Sequence, residues 1–246
     1  MPKSNLTAAQ FSKFAASRRS VRDFLPTPVP QEIIDEILTD AMTAPSWSNT
    51  RPYLVAIATG ERRDRISAEL VKRFDAGNAA RRKGWRGKLK MALTGYGLPK
   101  SDFRIWRPYP GVLKERSYRV GAGLYKAIGV QRGDAAGRDA SMRRNFEFFG
   151  APVALFFFVH KALGEYSVSD VSLFNQNLML SAHAHGLGTC AQGVLGLWAD
   201  AVREEFDVPA EYKLVYGMSL GYPSEHVVNQ FGAERLPIAE IVVPGR

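Results

Sequence analysis

The stretch Pro152-Val153-Ala154-Leu155-Phe156-Phe157-Phe158-Val159 decides the fold. It is apolar throughout, with Gly150 before it and His160-Lys161 after it. A continuous apolar run of this length, bounded by turn and polar residues, is typical of a strand covered on both faces. We therefore predict a central strand here, with other layers of structure packed against both of its faces.

Downstream of this strand, the pattern predicts a long helix over 170–185. Asp170 begins it and Gly186 stops it, as the helix dipole and the preference for glycine after a C-terminus favour. Apolar residues cover much of its circumference, which indicates a subunit interface. A shorter helix over 199–206, a strand over 213–220 and a terminal strand or arm over 238–243 follow.

Upstream, Thr7 and Gln10 have the spacing of a capping box for a helix that runs to about Ser17. A second helix follows Pro30, with apolar residues at helical spacing. Residues 53–58 are predicted as a buried strand. Because helices and strands alternate irregularly, the whole chain is predicted to be one layered α+β domain, 1–246.

Length and composition restrict the class of protein. A chain of 246 residues is long enough to bury a sizeable core, and its longest apolar run is too short to span a bilayer. No apolar core of a signal peptide follows residues 1–5, so the cytoplasm is the expected location. Cys190 is the only cysteine, which excludes an intrachain disulfide and a multi-cysteine metal site.

The net charge of +9 comes from one part of the chain. Residues 61–111 contain 14 Lys and Arg against 5 Asp and Glu, whereas the remainder contains 19 of each. We call 61–119 the basic segment. It is rich in glycine and predicted to form helices separated by loops. Nucleic-acid binding is one interpretation; the favoured one is an insertion near the active-site cleft whose positive field attracts small anions.

The segment Arg18-Arg19-Ser20-Val21-Arg22-Asp23-Phe24 suggests a ligand. In an extended chain, Arg18, Ser20 and Arg22 point to one face. Forked guanidinium groups and a hydroxyl suit a phosphate monoester. The alternative is a basic helix end followed by a solvated loop.

Two other candidates for chemistry were set aside. His183 and His185 lie two apart on a helix, so they cannot share a metal ion, and they are interpreted as surface or interface residues. Cys190 has no identifiable base nearby, which favours a small buried thiol over a nucleophile.

Five segments in order resemble the nitroreductase family of FMN-dependent flavoproteins, and in particular its branch of nitrobenzene and nitrobenzoate reductases. They are Arg18–Phe24, Ala44–Tyr53, Asn145–Pro152, Gly186–Gly193, and Gly217–Pro223 with Arg235-Leu236-Pro237. The resemblance implies an α+β fold with a central, mostly antiparallel sheet flanked by helices. It also implies an intertwined homodimer with FMN at the interface.

The resemblance further implies the residues of the site. Arg18, Ser20 and Arg235 would bind the FMN phosphate, with Arg19 in the same set, and Arg22 would lie near the ring. The remaining implied cofactor contacts are Pro45, Ser46 and Trp47 from the partner subunit, Asn49, and Ala191, Gln192 and Gly193 near N5 and the pyrimidine edge.

The implied activity is hydride transfer from NADH or NADPH to a nitroaromatic or related small electrophile, by a ping-pong mechanism. No catalytic side chain is expected, because the flavin carries the chemistry, and Arg22 would stabilise its reduced form. The alternatives are another reduction on the same fold, as by a dehalogenase or a quinone, enone or flavin reductase, and, less favoured, a basic nucleic-acid-binding protein.

Three positions depart from the family pattern and concern the pocket. Arg51 stands where Gln is usual, Tyr53 where Trp is usual, and Trp47 is bulkier than the common residue. Substrate choice therefore depends on residues that the pattern does not specify. The candidate substrate residues are Arg51, Tyr118, Arg119 and Tyr125.

Overall fold

The computed structural model describes residues 6–105 and 107–245, apart from the side chains of Lys88 and Lys90. Residues 1–5, on which the expected location partly depends, lie outside this part. The described strands form one antiparallel sheet in the order β1-β2-β4-β3. They are β1 (Tyr53–Thr59), β2 (Val153–His160), β3 (Gly188–Gln192) and β4 (Tyr212–Gly221). The predicted α+β fold with an antiparallel sheet is confirmed.

The apolar run of β2 lies inside the sheet, between β1 and β4, and its residues from Val153 to Val159 are all buried. Side chains alternate along a strand. Phe156 and Phe158 therefore join one core cluster, and Leu155 and Phe157 join the other. The predicted central strand, covered on both faces, is confirmed.

Helices cover both faces of the sheet. On the Phe157 face, α2 packs against α7; on the Phe156 face lie α3, α6 and α8. In the described part of the chain, no helix is both long and apolar enough to cross a membrane. The α-helices there are α1 (Ala8–Ser17), α2 (Gln31–Ala41), α3 (Gly60–Arg82), α4 (Gly84–Thr94), α5 (Gly111–Ala127), α6 (Ala135–Phe146), α7 (Glu165–Ala184) and α8 (Ala199–Arg203).

Several predicted boundaries were wrong. The long helix begins at Glu165, after Gly164 in a left-handed conformation, and not at Asp170. The helix predicted over 199–206 ends at Arg203. Strand β3 was not predicted, because its short sequence has no alternation of apolar and polar residues. Strand β1 is an edge strand and is only partly buried. Residues 238–240 form a 3₁₀ turn, so the C-terminal segment is an arm and not a strand.

The basic segment is not uniform. Its first helix, α3, belongs to the core, because two of its own residues, Ile66 and Leu70, are fully buried. The predicted helices and loops are confirmed, with α4 ending at Gly95 in a left-handed conformation. Helix α5 has no fully buried residue, so this later part is more loosely attached to the core. The division into one domain with an insertion stays a prediction.

Candidate functional site

The segment 18–24 runs beside the edge strand β3. Ser20 pairs with Thr189 in a parallel bridge, and the Val21 N–H donates to the Thr189 carbonyl at 3.0 Å. Gly188 makes this close approach feasible, because a Cβ there would lie 2.4 Å from Cγ2 of Val21. The bridge gives the predicted extended chain at Ser20 and Val21.

Asn229 holds the same segment from its other side. Its Oδ1 accepts the N–H of Arg22 at 2.8 Å, and its Nδ2 donates to the Asp23 carbonyl at 2.7 Å. The Asp23 carboxylate accepts a hydrogen bond from Arg144 Nη2 at 2.7 Å and another from the Ser224 hydroxyl. Asn229 was missed by sequence reasoning, since a single Asn in an irregular segment has no spacing signal.

Four guanidinium groups form what we call the arginine cluster: Arg18, Arg19, Arg22 and Arg235. Burial, and then the charge of Arg235, lowers the pKa of Arg18, so these two residues interact electrostatically although they are far apart in sequence. Arg18 and Arg22 both act electrostatically on the thiol of Cys190. Among the described carboxylates, none forms an ion pair with any of the four. The cluster is therefore a concentration of positive charge without a protein counter-ion.

A cavity of about 610 Å³ opens beside Arg18, and we call it the Arg18 pocket. Arg19, Gly188 and Asn229 also line it, as does Glu225, which does not pair with Arg18. The size and charge of the pocket suit a small anionic ligand. The other lining residues include Ser17, His183, Leu187, Thr189 and His226.

The end of β3 lies deeper in the protein. Gln192 is buried, and its amide is held at both ends, because Nε2 donates to the Asn145 carbonyl at 2.9 Å and Oε1 accepts from the Ser219 hydroxyl at 2.5 Å. Ala191 and Gly193 on either side are exposed. Three residues in this stretch were predicted to contact the cofactor, and Ala191 and Gly193 are therefore the two that are accessible to a ligand.

The loop 45–51 has strained backbone geometry. Ser48, Asn49 and Arg51 have φ of 49°, 57° and 44°, the left-handed region that costs a residue other than glycine about 1 kcal/mol or more. The Oδ1 of buried Asp170 accepts the N–H of Trp47 at 3.1 Å. The side chain of Arg51 donates to Oδ1 of Asn49 at 2.5 Å. Strain that is held in place by specific bonds indicates a functional loop.

Trp47 extends outward from this loop. Its side chain is 62% exposed, and its ring lies 4.7 Å from that of the exposed Tyr166. Large aromatic side chains left in water are unusual unless they bind something. The pair offers a flat apolar surface to a ligand or to a second protein chain.

The strained loop and the arginine cluster lie at opposite ends of α7. Asp170 holds the loop, and His183 lines the Arg18 pocket. The separation of 13 positions along α7 corresponds to about 20 Å at 1.5 Å per residue. The structure therefore does not bring Pro45, Ser46, Trp47 and Asn49 to the arginine cluster within one chain.

The candidate substrate residues on α5 separate into two groups. Tyr118 and Tyr125 line one cavity of about 580 Å³, together with Lys126, Arg132 and Arg138. Arg119 instead lies 3.8 Å from the carboxylate of Glu234, the residue before Arg235. Arg51, the fourth candidate, belongs to the strained loop.

Comparisons with known proteins agree with one another. Residues 15–222 match the model of the nitroreductase family. A 4-nitrobenzoate reductase from Pseudomonas putida is 35% identical over 221 residues, which cover 90% of this chain and 88% of that protein. A chloronitrobenzene nitroreductase from Comamonas testosteroni is 34% identical, with 91% of each chain covered.

The fold comparison gives a similar relative. The structure of the FMN-dependent nitroreductase NfnB from Mycobacterium smegmatis, in complex with NADPH, superimposes with a TM-score of 0.82. It is 30% identical in sequence and covers 98% of this chain and 100% of its own. Arg235 lies beyond the residues that match the family model.

Proposed function

Because this chain belongs to the nitroreductase family, we propose that it is an FMN-dependent oxidoreductase that uses NADH or NADPH to reduce nitroaromatic compounds. The related enzymes are named for nitrobenzoate and chloronitrobenzene, and the similar structure is FMN-dependent and was determined with NADPH. The observation that carries the proposal is the arginine cluster, which has no carboxylate partner in the described part of the chain.

The cluster fits the phosphate of FMN. Two guanidinium groups that approach each other away from water repel, and an anion between them removes that cost. Arg18 and Arg235 would donate to the phosphate oxygens together with the Ser20 hydroxyl, and Arg19 lies beside them. Each charge-assisted hydrogen bond contributes about 1.5–3 kcal/mol, which is enough for three of them to retain a cofactor.

Bound FMN would supply the redox chemistry, namely hydride transfer from the nicotinamide to the substrate in two separate half-reactions. The chain supplies position and electric field. Arg22 would keep a positive charge beside the ring, where it favours the negative charge of the reduced state. The exposed backbone at Ala191 and Gly193 would face the ring, with buried Gln192 fixing the end of β3 between them. Burial raises the pKa of Cys190 to about 11, so that residue stays a neutral thiol.

The active form is proposed to be an intertwined homodimer. The distance along α7 argues that Pro45, Ser46, Trp47 and Asn49 complete the site of the partner subunit and not their own. Leu173, 45% exposed on the outer face of α7, supports the idea that a second chain covers this helix. The enzyme would work in the cytoplasm, as the sequence predicts.

The nitroaromatic ring would enter the cleft beside the flavin. Trp47 and Tyr166 offer it an aromatic surface from one subunit, and Tyr118 and Tyr125 offer another from α5. Arg51 stays a candidate for contact with the nitro group. Arg119 is the weakest candidate of the four, since Glu234 already neutralises it.

Purification tests the proposal directly. The protein is expected to be yellow, with about one FMN per chain. Anaerobic NADPH or NADH should bleach its visible absorbance, and 4-nitrobenzoate or nitrobenzene should restore it. A colourless protein that takes up no FMN, yet binds DNA with a steep dependence on salt, would contradict the proposal and favour the nucleic-acid alternative.

A further inference from the structure

We propose that His183 takes part in binding the FMN phosphate and makes the affinity for FMN dependent on pH. This inference rests on the proposed function, because it concerns the same cofactor. His183 was interpreted from the sequence as an ordinary surface or interface residue. In the structure, its ring lines the Arg18 pocket together with Arg18 and Arg19.

The hydrogen bonds of Ser17 determine which nitrogen of His183 carries the proton. The Ser17 hydroxyl donates to the Phe14 carbonyl at 2.7 Å, so its single proton is used. The contact of 2.7 Å between Ser17 Oγ and His183 Nε2 then requires that Nε2–H donates. The neutral ring therefore has an unprotonated Nδ1, and a second proton would be added there. The ring of Phe14, 5.0 Å away, keeps the imidazole in place.

Burial and the neighbouring arginine charges oppose that second proton. Arg18 and Arg19 follow α1, while Glu225 and His226 line the same pocket from the segment after β4. Burial, followed by the charges of Arg18 and Arg19, lowers the pKa of His183 below its usual 6.5. His185, two residues further along the chain, faces Glu36 on α2 instead and does not line the Arg18 pocket.

A bound phosphate reverses this field. It neutralises the arginine charges and attracts an imidazolium, so the pKa of His183 should be higher in the complex than in the free protein. Binding then takes up a proton at any pH between the two pKa values. The extra affinity is complete below the pKa of the free protein and is lost as pH rises through the pKa of the complex. The phosphate itself has a second pKa of about 6. Its own protonation changes the affinity in the opposite direction to that of His183, so the experiment must separate the two effects.

The experiment compares cofactor affinities of His183→Gln and wild type. FMN is removed by dialysis, and the Kd for added FMN is measured by quenching of flavin fluorescence from pH 5.5 to 8.5. At pH 6, the variant is expected to bind FMN about fivefold more weakly than wild type, since one pKa unit of coupling corresponds to tenfold. At pH 8.5 the two should be equal. Because both proteins bind the same phosphate, its own titration cancels in the ratio.

Two controls locate the effect. Riboflavin, which lacks the phosphate, should bind both proteins with a ratio that does not change with pH. His185→Gln, on the same helix but outside the pocket, should follow wild type throughout. A second measurement needs no variant: in an NMR titration of the four histidines, the signal of His183, identified by its contact with the Phe14 ring, should show a pKa that rises when FMN is added.

The outcomes separate this inference from the proposed function. If wild type binds FMN but the His183→Gln ratio stays flat with pH and the pKa of His183 does not rise, the inference is wrong and the proposed function stands. If wild type binds no FMN at any pH, the proposed function itself fails. If His183→Gln does not fold, the NMR titration of wild type decides alone.

Discussion

Arg18 and Arg235 are the residues on which the proposed binding of FMN most depends. Arg18→Gln combined with Arg235→Gln is expected to weaken FMN binding at least 100-fold, because two charge-assisted hydrogen bonds of about 1.5–3 kcal/mol each are lost. Riboflavin affinity should change little, since riboflavin has no phosphate. Titration of dialysed protein with each flavin measures both effects.

Arg65→Gln is the matched control for this pair. It also removes one guanidinium, but from α3, where Arg65 pairs with Glu205 outside the Arg18 pocket, and its FMN affinity should equal that of wild type. Full FMN affinity in the double variant would contradict the assignment of the phosphate site.

The candidate ligand-binding side chains left a clearer signal in the sequence than the side chains that hold the backbone. The alternate positions of Arg18, Ser20 and Arg22 are visible in the sequence as a local pattern. Asn229 and Asp170 fix the two candidate segments through hydrogen bonds to backbone N–H groups that lie 207 and 123 residues away. A contact at that sequence separation leaves no periodicity, so a single sequence cannot indicate it.

At the scale of elements, the contact between β3 and segment 18–24 links stability to cofactor binding. Gly188→Ala should push Val21 and Ser20 away, because the new Cβ would meet Val21 at 2.4 Å. Overpacking of this kind costs about 1–3 kcal/mol, and FMN affinity should fall about tenfold or more, although no ligand-binding side chain has changed. Urea unfolding and FMN titration measure the two effects.

Gly121→Ala provides the comparison for this substitution. A Cβ at Gly121 meets nothing within 4 Å, and Ala is the better helix former by about 0.5–1 kcal/mol. This variant should be as stable as wild type or slightly more so. An unchanged midpoint and FMN affinity in Gly188→Ala would show that segment 18–24 is not held by close contact with β3.

The ion pairs between α3 and α8 should make stability dependent on pH. Burial alone would raise the pKa of Asp200, but a hydrogen bond from Lys100 and the charge of Arg73 more than offset it and lower that pKa. A carboxylate with a lowered pKa stabilises the fold above its unfolded pKa, near 4, and that contribution is lost as pH falls through the folded pKa.

Asp200→Asn tests this linkage. The variant should lose about 1–2 kcal/mol of unfolding free energy at pH 7, because Arg73 Nη1 loses its charged acceptor at 2.6 Å. The difference from wild type should shrink as pH falls below about 4 and through the lowered folded pKa of Asp200. Urea unfolding at several pH values measures it, and a difference that is constant with pH would refute the ion pair as its source.

The helices and strands that have a clear local sequence pattern were predicted correctly, and those without one were predicted poorly or missed. The capping box of α1 is present as expected, with both hydrogen bonds between Thr7 and Gln10, and the apolar run of β2 gave a buried central strand. Helix α7 begins earlier than Asp170 because that carboxylate binds the Trp47 loop and does not cap its own helix. Strand β3 exists through its pairing with β4, which is a tertiary contact.

For the whole molecule, the separation of the strained loop from the arginine cluster predicts complementation between defective chains. One variant combines Arg18→Gln and Arg235→Gln; the other combines Trp47→Ala with Asn49→Gly, which tolerates the left-handed φ. If each site takes one part from each subunit, an unfolded and refolded equal mixture should recover about a quarter of wild-type activity, because half of the dimers are mixed and each has one intact site.

Each variant refolded alone is the control and should stay nearly inactive. A mixture with no more activity than its components, although mixed dimers are present by mass spectrometry, would mean that both parts of the site come from one chain. Monomers at working concentration would also contradict the shared site.

The meeting of Arg18 with Arg235 has a consequence for how cells make this protein. Translation proceeds from the N-terminus, so a ribosome exposes Arg18 long before it has added Arg235. Through most of synthesis, the growing chain therefore contains Arg18 but not Arg235. Loading with the coenzyme is therefore expected after release, and a premature stop codon shortly before position 235 should yield polypeptide that accumulates without pigment.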